Sequence, residues 1–403
     1  MALFVANGVS MVGNVLALLA IPWFVLETTG SATQTGLTGF FTILPVVLAG
    51  ILAGALIDRL GFKRTSIIAD LASAAAVAMI PLLHLTIGLQ FWQLAALVFL
   101  GALLDAPGST ARSAMIPDLA SAAGMPIERA SSANQVIERS SRLIGAPLAG
   151  LLIALLGTVN VLWLDAISFL VSAAIVAGFI ALPRAARQEE KKGRYFEELL
   201  EGVRFIRMDR LILAIILIVM VTNFLDAAFG GVLLPVYVNE VFGSALNLGL
   251  MIAASGGGAV VGAIIYGAVG HRLPRRLTFV SMFTLLGLRF WILAAYPPLL
   301  VILLGMFLTG ICAGPLNPII DSVSYERVPS SMRGRVFGTI QAGAWVAMPL
   351  GVLMAGFLTE EFGVQPLLVA LGVIYVTATV LLGLAPALRE MDRAADEAPA
   401  GQT

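Results

Sequence analysis

The chain has 403 residues, of which 59% are hydrophobic and 12% charged, with a mean hydropathy of +0.97 and a formal net charge of zero. Soluble domains carry about 25% charged residues, so a single water-soluble core is excluded and lipid must be the solvent. One cysteine, Cys312, excludes an internal disulfide, and two histidines, His84 and His271, leave no haem or structural zinc site, so no metal is expected.

A bilayer-crossing helix needs about 20 apolar residues. With that window the chain predicts spans over 2–26, 34–57, 65–88, 91–114, 131–156, 160–182, 211–238, 246–270, 277–296, 298–323, 335–359 and 364–386. The first is too long for a signal-peptide core, so no cleavable leader is expected. Most connections are short. The exception is 183–210, rich in charge (Arg187, Glu189, Glu190, Lys191, Lys192, Arg194), which divides the chain six spans plus six. Its later part, Phe196 to Arg207, has the spacing of an amphipathic helix lying on the membrane surface. The expected organisation is a bundle over 1–182, a linker over 183–210, a second bundle over 211–388 and a flexible tail over 389–403.

Lys and Arg set orientation. With the N-terminus inside, the cytoplasmic connections hold Arg59, Lys63, Arg64, Arg129, the linker cluster, Arg272, Arg275, Arg276, Arg327, Arg333 and Arg335, and the tail adds Arg389 and Arg393. The opposite loops hold Glu27, Glu240, Glu360 and Glu361 and no Lys or Arg. Both termini are therefore expected in the cytoplasm.

After the second span the chain reads Gly54-Ala-Leu-Ile-Asp58-Arg59-Leu-Gly61-Phe-Lys63-Arg64, and after the eighth Gly267-Ala-Val-Gly-His271-Arg272-Leu-Pro274-Arg275-Arg276. The second string is a degenerate copy of the first, and an internal six-span repeat is typical of transporters that bind substrate between their halves. The first string resembles the signature loop of the major facilitator superfamily. Arg112 late in span 4, Gly145-Ala-Pro147-Leu-Ala-Gly150 in span 5 and Pro22-Trp23 in span 1 resemble further motifs of its exporters. Val328-Pro329-Ser-Ser-Met-Arg333-Gly334-Arg335-Val336 resembles a bacterial exporter subgroup, and within it Gly256-Gly257-Gly258, Leu273-Pro274-Arg275-Arg276 and Pro386-Ala-Leu-Arg389-Glu390 most resemble the actinobacterial Tap-type multidrug efflux family. The resemblance implies an all-α major facilitator fold of twelve helices in two six-helix bundles. It also implies export of amphiphilic antibiotics such as tetracyclines or aminoglycosides, driven by proton antiport in a bacterial cytoplasmic membrane. No cofactor beyond the proton gradient, no nucleic acid and a monomer are expected.

Asp58 would sit against the positive end of the span-11 helix as a cytoplasmic latch, with Gly54 and Gly61 permitting the turn; the plain alternative is that Arg59, Lys63 and Arg64 only set topology. His271, in place of Asp58, cannot make that contact. Gly145, Pro147 and Gly150 either pack helices closely or also bend during transport, and Gly256 to Gly258 with Gly262 would pack span 8 similarly.

Ionisable groups within the hydrocarbon mark function by default. Arg112, Glu138, Arg139, Arg142 and Asp321 lie toward cytoplasmic ends and are read as an inner charge network. Arg289 lies in span 9, and Asp165, near the outer end of span 6, reads as structural. Asp105 and Asp226 lie nearer mid-depth, on spans that line the cavity in the resembled fold. They are the candidates for proton coupling or for contact with a cationic substrate, the alternative being helix-packing acids. Related exporters carry an acid in mid-span 1, where this chain has Asn14, so coupling here runs through another residue or is weak. Asn14, Leu18, Phe224, Phe229, Asn317 and Trp345 are candidate cavity walls. An exporter of a lipid or siderophore, or a facilitator, would use the same scaffold. An intramembrane enzyme lacks a catalytic constellation, and a channel or receptor does not need the Asp58 loop.

Overall fold

The protein is described from a computed structural model covering residues 1–180, 195–329 and 332–392. The helices are α1 (Ala2–Thr29), α2 (Ala32–Leu60), α3 (Phe62–Thr86), α4 (Phe91–Ala114), α5 (Ile116–Ala122), α6 (Ile127–Leu156), α7 (Thr158–Phe179), α8 (Tyr195–Met208), α9 (Arg210–Ala228), α10 (Leu234–Phe242), α11 (Ala245–Val269), α12 (Arg275–Leu286), α13 (Leu288–Ala294), α14 (Leu299–Ala313), α15 (Leu316–Arg327), α16 (Arg333–Trp345), α17 (Met348–Phe362) and α18 (Val364–Gly383). Several are halves of one interrupted rod. Among the described residues, eleven rods are long and apolar enough to cross a bilayer. The 29-residue α2 supplies the twelfth by length. Helices satisfy their own backbone groups, which is what allows them to stand in lipid. Large apolar side chains such as Leu155, Phe179, Ile264 and Leu300 remain exposed on their outer faces.

The rods end where the sequence supplies a cap. Asp209 accepts from the N–H groups of Leu211 and Ile212 at 2.9 and 3.1 Å and starts α9. Gly157, at φ 82°, turns the chain between α6 and α7 in the region glycine favours. Span 7 is interrupted by a π-helical stretch, Phe229–Leu233, between α9 and α10. Span 9 is interrupted at Gly287, between α12 and α13.

By packing, the chain forms two compact units, one of residues 1–188, 230–253 and 352–360, the other of 189–229, 254–351 and 361–403. In the first, α1, α3, α4, α6 and α7 enclose a core that includes Ala6, Leu16, Val77, Leu162 and Phe169. The C-terminal half of α17 lies on α2 at a glycine crossing. A Cβ on Gly36 would lie 2.7 Å from Gly356 Cα, and one on Gly356 2.8 Å from Ala32 O. Glu360 fastens this crossing by accepting from Ser31 Oγ and Thr33 N, each at 2.7 Å. The start of α11 crosses α6 in the same way, since a Cβ on Gly150 would lie 3.0 Å from Gly249 Cα.

In the second unit α11 and α14 approach closely at Gly258, Gly262, Gly310 and Gly314, where a Cβ would collide with opposing backbone. The expectation for Gly258 and Gly262 holds there, whereas Gly257 faces open space. The amphipathic helix α8 forms, and part of its apolar side packs on protein. Ile206 is buried with Ile212, Ile216, Val328 and Val336, Arg335 Nη1 donates to Glu201 Oε2 at 2.6 Å, and Gly202 lets α8 close on α16. Leu200 and Met208 remain exposed on the same helix. The expected flexible tail over 389–403 is docked in its first residues. Met391 is buried, Glu390 Oε2 accepts from Arg327 Nη2 at 2.5 Å, and Asp392 Oδ1 accepts from Arg276 N at 3.2 Å. The linker charges Arg187 to Arg194 and Arg393 lie outside the described residues.

Candidate functional site: buried charges in each unit

Arg112, late in α4, is 1% exposed and sits at the centre of the first unit. Its Nη1 lies 2.5 Å from Asp70 Oδ1, its Nε donates to Asn7 Oδ1 at 3.2 Å and its Nη2 to Ser10 Oγ at 3.2 Å. Asp70 Oδ2 accepts from Ser172 Oγ at 2.7 Å. One guanidinium thus ties α4 to α1 and α3, and Asp70 continues the tie to α7. Gly108 makes the approach of α4 to α3 possible, because a Cβ there would lie 2.9 Å from Ala69 Cβ. Asp105 stands two turns before Arg112. Its Oδ2 accepts from Asn14 Nδ2 at 3.0 Å, and its Oδ1 is buried 3.7 Å from Arg112 Nη2 with no hydrogen-bond partner among the described residues.

The inner network expected around Arg112 is therefore different. Glu138 and Arg142 pair with each other one turn apart at 3.0 Å, both largely exposed, and Arg139 is exposed. Asp321 is exposed on α15. Arg112 takes Asp70 instead, a residue outside the expected set although an acid inside an apolar span is itself the signal.

In the second unit Asp226 forms an ion pair with Arg289. The guanidinium lies over three rings, at 4.7 Å from the centroid of Phe229, 5.2 Å from Phe290 and 5.8 Å from Tyr375. The break at Gly287 admits this arrangement, since a Cβ there would lie 2.9 Å from Tyr375 Cδ1. Asp226 also lies just before the π-helical stretch, a form frequent at functional sites. Asp226 is charge-balanced by its own guanidinium in this structure. Phe229, expected as a cavity wall, is buried beneath Arg289. Arg289→Ala empties an aromatic box as well as removing a charge, whereas Asp226→Asn keeps an acceptor. Arg289→Ala is expected to cost about 2 kcal/mol more in thermal unfolding; equal losses would mean the box contributes nothing.

Of the other expected wall residues, Asn14 is partly buried on Asp105, Leu18, Asn317 and Trp345 are exposed, and Phe224 is partly buried. Gly145 meets Val15 of α1, where a Cβ would lie 2.9 Å from Val15 Cγ1, and Pro147 lies inside α6. In the signature loop, the surroundings of Gly54 and the side chain of Asp58 lie outside the described residues, and with them the expected latch. Lys63 Nζ donates to the carbonyls of Ala177 and Ile180 at 2.9 and 2.6 Å and satisfies the end of α7. Gly61 turns the chain at φ 76°, while Arg59 and Arg64 are exposed. His271 is exposed on a 3-10 turn.

Residues 1–402 match the family described as transmembrane secretion effector, a division of the major facilitator superfamily. The chain belongs to that family. It is 33% identical over 394 residues to the multidrug efflux pump Tap of Mycobacterium tuberculosis, covering 95% of this chain and 92% of the relative. It is 32% identical over 390 residues to the Tap pump of Mycolicibacterium fortuitum, covering 95% and 94%. Macrolide efflux protein A of Streptococcus pyogenes is 20% identical over 401 residues, covering 97% and 96%. Among solved structures, the nucleoside transporter NupG superposes with a TM-score of 0.74 at 13% identity, covering 97% and 98%. A bacterial homologue of the iron transporter ferroportin gives 0.71 at 14%, also covering 97% and 98%. These likenesses give the fold, and family membership makes the chain a multi-pass membrane transporter rather than an enzyme. Within that family the buried charges of both units fall inside membrane spans, where they are expensive to keep.

Proposed function

We propose that this protein exports amphiphilic small molecules, antibiotics among them, across a bacterial cytoplasmic membrane by alternating access in exchange for protons. The observation that carries the reading is its 33% identity to Tap efflux pumps over 95% of the chain. Three acids held inside the spans, Asp105, Asp165 and Asp226, support the coupling, because a carboxyl shielded from water can carry a proton across a barrier that an ion cannot cross. In this reading the halves 1–182 and 211–388 alternate about the linker, both termini are cytoplasmic, the Asp58 loop latches the inner side and the protein works as a monomer.

The test is flux in proteoliposomes with an imposed pH gradient, across tetracyclines, aminoglycosides and macrolides. Uphill movement of at least one compound, abolished by a protonophore, is expected. Flux that survives the protonophore unchanged identifies a facilitator, and no flux of any compound removes the drug-export reading.

A further inference from the structure

We propose that Asp165 is a second proton-binding carboxyl of the first unit, paired in function with Asp105 across α1. The proposal deepens the proton-antiport reading above and rests on it.

Asp165 is 1% exposed, and its Oδ1 has no hydrogen-bond partner among the described residues. It faces the midpoint of α1, where a Cβ on Gly13 would lie 2.7 Å from that oxygen. The next residue of α1, Asn14, donates to Asp105. Two consecutive residues of one helix therefore meet two acids, Asp165 buried and Asp105 half-buried, and Asp165 lies at the depth of Asp105 rather than near the outer end of its span. Ser168, the polar neighbour, donates its hydroxyl to Asp165's own carbonyl at 2.8 Å.

Charge balance supplies the argument. An ionised carboxylate out of water costs several kcal/mol unless it is paired and hydrogen-bonded. The cations on the elements around α7 are engaged elsewhere or exposed. On α3 are Lys63, Arg64, Asp70 and His84: Lys63 is held by the carbonyls of Ala177 and Ile180 at the end of α7, Arg64 is exposed, and the His84 ring packs on Phe24. On α4 are Asp105 and Arg112. α1 brings Glu27, which accepts from Trp23 Nε1 at 2.7 Å and from Thr158 Oγ1 at 2.5 Å, the latter at the start of α7. α6 brings Glu128, Arg129 and Arg139, all exposed, and Glu138 and Arg142, joined to each other. Arg112 is committed to Asp70. Three acids thus share one guanidinium, and among the described residues Asp165 has no cation and its Oδ1 no donor. The form this position accommodates is the neutral one: an O–H bond forms on the carboxyl as one O–H bond of a hydronium ion breaks, leaving water. Returning that proton on the other side restores the carboxylate. A hard metal cation takes about six oxygen ligands, which this pocket of Gly13 and Ser168 does not offer.

The same face of α7 carries Thr158, Asp165 and Ser172 about two turns apart. Thr158 binds Glu27 and Ser172 binds Asp70, so Asp165 is the middle station of a polar column inside the bundle.

The experiment compares wild type, Asp165→Asn and Asp165→Glu in nanodiscs and proteoliposomes. Infrared difference spectra on a pH step are expected to show a protonated-carboxyl C=O stretch that is missing in Asp165→Asn. Gradient-driven flux is expected to be lost in Asp165→Asn and recovered at least in part by Asp165→Glu, which a packing role would not do. A spectrum unchanged in Asp165→Asn overturns the assignment, as does gradient-driven flux equal to wild type. A band erased by sodium at fixed pH makes it a sodium site and also overturns it. Asparagine is the neutral isostere, so an Asp165→Asn chain that does not fold counts against the proposal as well. If wild type shows no gradient-driven flux, the antiport reading fails, and the infrared band still decides whether Asp165 binds a proton.

Discussion

Arg112→Ala is expected to destabilise the first unit by about 3–5 kcal/mol, the loss typical when one partner of a fully buried ion pair is removed. Both partners are sealed, Arg112 at 1% and Asp70 at 0% exposure, so little solvent screening discounts the figure. Alanine would strand Asp70, with only Ser172 left to it, and would leave Asn7 Oδ1 without its donor. The double change Arg112→Leu with Asp70→Leu is expected to regain much of the loss, because an apolar pair avoids the desolvation penalty. Equilibrium unfolding in detergent checks both. An Arg112→Ala variant within about 1 kcal/mol of wild type, the central tendency for point changes, would show that the pair does not hold the bundle.

Gly249→Val is expected to leave the protein folded and to depress transport. A Cβ at Gly249 would lie 2.7 Å from Ala146 O and 3.1 Å from Gly150 Cα. Backbone atoms cannot step aside as a side-chain tip can, so the helices must part. Overpacking of this kind costs about 1–3 kcal/mol, which shifts the population of the closed crossing about 5–150-fold. Gly36→Val should act alike, since its Cβ would meet Gly356. Gly257→Ala is the control, because nothing lies within 4 Å of a Cβ there. Flux per folded transporter is the measurement, and variants at Gly249 and Gly36 that match Gly257→Ala would show the crossings to be incidental.

Hydropathy made the rods legible because lipid demands long apolar runs, and α4, α7 and α18 begin within a few residues of where the pattern puts them. The interruptions at Phe229–Leu233 and Gly287 were not legible, since neither carries a proline and both depend on what packs opposite. Asp226 and Asp105 stood out as isolated acids, but their partners did not. Arg289 is far from Asp226 in sequence, and Asp70 is inconspicuous beside a stretch of small residues. Asp165 was legible as a buried acid but not in its depth, because helix ends fray the estimate while Gly13 fixes it. The amphipathic pattern of α8 was legible, but that Ile206 packs on α9 and α16 was not.

The two glycine crossings have a historical consequence. Gly36 is separated from Gly249 by the same sequence offset as Asp58 from His271, so span 2 on span 11 and span 8 on span 5 are one contact made twice. An ancestor of half this length, pairing with a copy of itself, would have formed both at once, as an isologous dimer does. After fusion each end could drift separately: the loop at His271 lost its acid, while both crossings kept glycine on each helix.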